Sequence, residues 1–154
     1  MRYNGEGGQV TIPDGVQEIA SGAFAESKNL NKIILPTSLT TIRDGAFSGC
    51  DVATVVIWSE VKEISRAFEN CMNLKGVVIS GETTEIAAKA FVGCKNLEVV
   101  ILPESVTQIS EDAFEGCPEV TIFAPGGFYA EQFAKEQGFA FVDVNELKRE
   151  RKGK

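Results

Sequence analysis

Apolar residues recur in this chain in two alternating rhythms. Ile42, Ala46, Phe47 and Cys50 stand at offsets 0, 4, 5 and 8, the spacing of one face of a short helix. Leu30, Ile33 and Leu35 fall on one side of a short alternating run with Ile34 on the other, which predicts a strand. Pro13, Pro36 and Pro103 follow such runs and stop them. Gly49, Asn70, Gly93 and Gly116 precede a cysteine, where a residue able to take positive φ ends the helical turn; Glu26 departs from that rule. Each unit therefore reads strand, turn, short helix, turn.

The unit is written five times. "IASGAFAES" (19–27), "IRDGAFSGC" (42–50), "ISRAFENC" (64–71), "IAAKAFVGC" (86–94) and "ISEDAFEGC" (109–117) share their columns. Phe24, Phe47, Phe68, Phe91 and Phe114 are spaced by 23, 21, 23 and 23 residues, each preceded by Ala. Six residues after each Phe come Leu30, Ala53, Leu74, Leu97 and Val120. One such unit buries too few side chains to offset the entropy of ordering it. Stacked units cover one another's flanks and share a continuous core, so the repeat predicts a solenoid.

"LNKIILPTSLTTIRDGAFSGC" (30–50) and "LEVVILPESVTQISEDAFEGC" (97–117) follow a pattern L-x-x-I-x-L-P-x-S-x-x-x-I ending in A-F-x-G-C. This resembles the BspA-like (Treponema pallidum type) leucine-rich repeats, over about residues 9 to 144. The resemblance implies an α/β fold, a right-handed leucine-rich-repeat solenoid. A concave parallel sheet of very short strands would face short helical turns opposite. Residues 1–147 form the solenoid, with "GGFYAEQFAKEQGFAFV" (126–142) similar to the family's C-terminal cap. That cap reads as a helix with Tyr129 and Phe133 one turn apart, ended by Gly138, then a strand over 139–144. Protein recognition, often adhesion at a microbial surface, is the function the resemblance implies.

The third unit is two residues short. One gap is placed between Ser59 and Ile64, the other between Ile64 and Phe68. Trp58 then falls in the column of Leu35, Ile79 and Leu102, and Ala53 in the leucine column. Read this way, Ala53 makes room for a buried Trp58.

Chemistry is sparse. The chain has no histidine, which removes the commonest general base and metal ligand. Cys50, Cys71, Cys94 and Cys117 recur with the repeat, so they run along the solenoid and cannot converge on one zinc. They read as a buried thiol column behaving as small hydrophobes. Ser21, Ser65 and Ser110 read as helix N-caps. No enzyme, metal or cofactor is expected.

Net charge is −7, but "KRERKGK" (148–154) carries five basic groups and one acid. Residues 1–147 therefore hold ten basic and twenty-one acidic residues, which argues against nucleic-acid or anionic-membrane binding by the body. The basic tail reads as disordered. Without a leading apolar segment the protein is expected in the cytoplasm if Met1 is the native start, and at the cell surface or secreted if the chain is an excised domain.

Registration on the repeat puts Thr11, Ile34, Ile57, Val78 and Ile101 on the outward side of successive strands. Val55 and Val99 lie in a neighbouring column. An apolar stripe on a half-exposed sheet marks a binding surface for a protein partner. Ile34, Val55, Ile57, Val78, Val99 and Ile101 are the candidate contact residues. The alternative is a structural spacer that self-associates through an open edge strand at Val10–Ile12.

Overall fold

The computed structural model describes residues 8–153. The strands are β1 (Gly8–Thr11), β2 (Glu18–Ile19), β3 (Leu30–Ile34), β4 (Thr41–Ile42), β5 (Thr54–Ile57) and β6 (Glu63–Ile64). β7 (Gly76–Ile79), β8 (Glu85–Ile86), β9 (Val99–Ile101), β10 (Gln108–Ile109) and β11 (Thr121–Ala124) continue the series. Helix α1 (Tyr129–Gln137), β12 (Ala140–Asp143) and helix α2 (Val144–Lys152) complete the chain.

Successive turns of the coil lay the longer strands side by side in one parallel sheet, ordered β1-β3-β5-β7-β9-β11-β12. The two-residue strands form a second ladder, broken into β2-β4 and β6-β8-β10. Opposite the sheet, the helices expected in each unit are absent among the described residues. The segments 21–26, 44–49, 88–93 and 111–116 are turns. They are held by bonds within the turn, such as Ala46 N to Arg43 O, and by bonds between units. Phe24 N donates to Ala46 O, Phe47 N to Ala67 O, Phe68 N to Ala90 O and Phe91 N to Ala113 O. The backbone thus ladders on this side too, and it satisfies amides that a short helix would leave orphaned. Ser21, Ser65 and Ser110 cap no helix: Ser110 Oγ donates to Asp112, and Ser65 Oγ to Asp44 of the unit before. Glu26 (φ 58°) and Asn70 (φ 56°) take the left-handed conformation of Gly49, Gly93 and Gly116, so the first unit follows the common path despite its side chain.

The core is periodic. All five repeat phenylalanines and all four cysteines are buried. The rings of Phe24, Phe47, Phe68, Phe91 and Phe114 stack at centroid distances of 5.0 to 5.5 Å, within 10° of parallel. Beside them Cys71, Cys94 and Cys117 donate to the carbonyls of Phe47, Phe68 and Phe91 at 3.0, 3.0 and 3.1 Å. At the C-terminal end Phe133 and Phe139 close on Phe114 at 6.4 and 5.9 Å. Gly138, at φ 78°, ends α1. Tyr129 is exposed and takes no part in that lid; Phe139 does instead.

The shortened third unit loses its residues at corners. Val52, not Ala53, is buried in the leucine column, and Ala53 is exposed. The first gap therefore lies between Cys50 and Val52, and the span from Val52 to Ile64 matches that from Leu30 to Ile42. The second lies between Ile64 and Phe68, where Ala67 N turns back onto Ser65 O. The lateral ladder breaks at this unit, between β4 and β6.

The tail expected to be disordered instead lies mostly in α2, capped by Asp143, which accepts from Asn145 N at 2.8 Å. None of its side chains is buried.

Candidate binding face

Strand pairing fixes which side chains share the outer face of the seven-stranded sheet. Thr11 pairs with Ile34, Val56 with Val78, Val78 with Ile101, Ile101 with Phe123, and Phe123 with Val142. Lys32 pairs with Thr54, which sets Ile34 beside Val56. The outward column therefore runs Thr11, Ile34, Val56, Val78, Ile101, Phe123, Val142. A neighbouring column runs Lys32, Thr54, Gly76, Val99, Thr121, Ala140.

Two of the six candidate residues are thereby corrected. Val55 and Ile57 are fully buried core residues, and Val56 stands outward between them. The cause is the misplaced gap: a one-residue slip in a strand exchanges its two faces. Ile34 is 37% exposed, while Val78, Val99 and Ile101 are half-buried on the outer face. The face also contains Val56, Phe123 and Val142. The repeated spacing Leu30–Ile33–Leu35 and Val52–Val55–Ile57 carries the signal that finds Val56. From Ile34 to Val142 six apolar residues follow one another, a stripe of ~24 Å at ~4.8 Å per strand.

Trp58 is the second correction of consequence. It does not fill the interior beside Ala53 but is 59% exposed, two residues beyond Val56 on the same side. In the next unit Ser80 N binds Ile57 O, which aligns Ser80 with Trp58. Gly81 follows at φ 120°, and a Cβ there would lie 2.8 Å from Ser59 O and 3.3 Å from Trp58 O. The backbone of one unit thus lies directly on the next, with no side chain from Gly81 beside the indole. Ser59 is 3% exposed, and its Oγ has no hydrogen-bond partner.

Charge divides across the stripe. Exposed Glu60, Glu82 and Glu104 follow the strand ends, with Asp14 on the first turn. Lys62 pairs with Glu82 at 2.6 Å, whereas no ion pair among the described residues involves Glu60 or Glu104. Lys32, Lys75 and Glu98 are exposed along the strand starts. Between the second and third units the sheet loosens to the single pair Lys32–Thr54. A depression of about 340 Å³ opens there, lined by Asn31, Lys32, Ile33, Ala53, Thr54 and Val56.

A polar depression of about 520 Å³ lies at the break between β4 and β6, but its cations are neutralised: Arg43 meets Glu18 at 2.8 Å and Lys62 meets Glu82. No cluster of metal-ligating side chains occurs among the described residues. Three of the four buried thiols, Cys50, Cys94 and Cys117, have their pKa values raised. A hydrogen bond with Cys117 works to lower the Cys94 pKa, but the Cys71 thiol and burial outweigh it and push it up to about 12. Cys117 is raised by its bond with Cys94 and by burial, and Cys50 by burial. No helix among the described residues is long and apolar enough to cross a membrane.

Known proteins share this architecture. A family described as BspA type leucine rich repeat region matches in six copies over residues 3–121. The solved leucine rich repeat protein of T. pallidum is 35% identical with a TM-score of 0.72, covering 79% of this chain and 61% of that one. A leucine rich cell surface protein from Faecalibacterium prausnitzii A2-165 is 20% identical at a TM-score of 0.50, covering 88% of this chain and 59% of that one. The chain thus spans about three fifths of the length of either protein. Comparison with curated proteins returns no significant match. With matched repeats over most of its length, and an identity to a solved leucine rich repeat protein that covers more than two thirds of it, the chain belongs to the BspA type leucine rich repeat family.

Proposed function

We propose that this chain is a non-enzymatic protein-binding module whose partner lies on the outer face of the seven-stranded sheet. Leucine rich repeats of this type typically serve protein–protein interaction, and the residues supporting the reading here are specific. The carrying observation is the unbroken apolar column Ile34, Val56, Val78, Ile101, Phe123, Val142, on a face where a half-exposed sheet ordinarily places polar side chains. The burial of every thiol and the lack of histidine agree with a surface that binds and does not react. Adhesion or host-protein recognition fits such a surface.

The test replaces Val56, Val78 and Ile101 together by Thr, keeping β-branching while adding a hydroxyl to each. The circular dichroism spectrum should be retained, and capture of the natural partner should fall by at least tenfold. Retained capture by a folded triple variant would overturn the reading. Replacing Ile57 would be uninformative, since that residue is core.

A second reading, a spacer that associates end to end, is favoured by one observation. Among the described residues β1 pairs only with β3, which leaves an edge at Val10 and Thr11. Under that reading Pro at Thr11 would change the association state, and the triple Thr variant would not.

A further inference from the structure

We infer that the occupant of this face is an amphipathic helix carrying a row of Lys or Arg on one flank, anchored by Trp58. The inference rests on the binding-face reading above and adds the chemistry of the partner.

The stripe runs across the strands, along the axis of the coil, and presents one apolar side chain per ~4.8 Å. A helix laid along the same axis presents one seam residue per turn of ~5.4 Å. From Ile34 to Phe123 is four strand spacings, ~19 Å, against ~22 Å for four helical turns. The mismatch over that length is less than one strand spacing, so each turn of the helix can meet one unit of the solenoid. An extended strand lying across the face would alternate sides and meet the column only at every second residue. The depression beside Val56, about 340 Å³, offers a socket for one seam side chain.

The flank is set by charge. Glu60 and Glu104 border the strand-end side of the stripe, where no described ion pair engages them, and Glu82 stands between with its single partner Lys62. Trp58 projects on that same side. An exposed indole two residues before Glu60 is suited to a cation, which can lie on the ring face beside that acid. Its exposure is not required by the core: Pro36 and Ser80 occupy the neighbouring turns at this point. The excess of acidic residues over 1–147 draws a basic segment from a distance. The chain's own α2 is basic but has only nine residues, too few for the seam.

Trp58 is the only tryptophan in the chain, so its fluorescence reports the site directly. The probe is a designed helix of about five turns with a leucine seam and lysines along one flank, compared with a counterpart bearing glutamates in their place. The lysine helix should shift Trp58 emission to the blue and bind more weakly as salt rises. In calorimetry, Glu60→Gln with Glu104→Gln should weaken it about threefold to tenfold. Trp58→Ala should weaken it at least as much. Equal binding of both helices, or binding without an emission shift, would overturn the inference. If both bind and the triple Thr variant abolishes both, the face stands and only the partner's charge is wrong. If the triple variant binds the lysine helix unchanged, the face itself is wrong. Binding of neither helix at millimolar concentration, or occlusion of Trp58 by self-association of the protein alone, would also overturn the helical partner.

Discussion

At the scale of single residues, repetition makes each buried group answer for a whole column. The thiols show this best. Unfolded cysteine titrates near pH ~8.5, whereas Cys94 is pushed up to about 12 in the folded chain. A group whose pKa is raised by folding stabilises fully below its unfolded value and loses that contribution as pH climbs toward the folded one. Stability measured by urea unfolding should therefore decline between about pH 8.5 and 12. Substituting Cys94 and Cys117 with Ala should flatten that decline. Ser59 makes the opposite case, a buried hydroxyl with nothing to bond. Ser59→Ala removes an unsatisfied group and should raise stability by about 1 kcal/mol, read from the urea midpoint. A loss of that size would show that Oγ has a partner in solution.

At the scale of elements, the columns were legible because they repeat, and legibility failed where a repeat changed length. Phe47 anchored the third strand by counting six residues onward, which landed on Ala53 because one corner residue is missing. Anchoring on Val52, Val55 and Ile57, whose spacing copies Leu30, Ile33 and Leu35, restores the register. The short helices differ from expectation for another reason. Offsets 0, 4, 5 and 8 fit a helical face, but they fit a laddered turn equally well once neighbouring units supply the hydrogen bonds. Helix α2 escapes because Val144 and Leu147 are its only apolar residues, two positions in a run of charges and too few to show a period. Its start depends on Asp143, which accepts from Gly126 N at 2.9 Å and Asn145 N at 2.8 Å, bonds that hold its carboxylate below the usual range. That contribution is present above the unfolded pKa of ~3.9 and disappears as pH falls through the lowered value. Asp143→Ala should reduce helical ellipticity at neutral pH to the level the native chain reaches in acid. Unchanged ellipticity would remove Asp143 as the cap.

At the scale of the whole molecule, the coil has a sealed end and an apolar outer face. Phe133 and Phe139 seal the last ring of the aromatic file. A chain ending at residue 125 should expose Phe114, lose its cooperative unfolding transition and aggregate, as expected of a solenoid without its terminal cover. A soluble, cooperatively folding fragment would deny the cap that role. The third unit, meanwhile, gives up two residues at its corners without disturbing the ring spacing, although beside it the sheet thins to the pair Lys32–Thr54 and the lateral ladder breaks between β4 and β6. Genes for such proteins can therefore drift in length at the bends, and can grow by copying whole turns, while the interior lattice keeps its pitch.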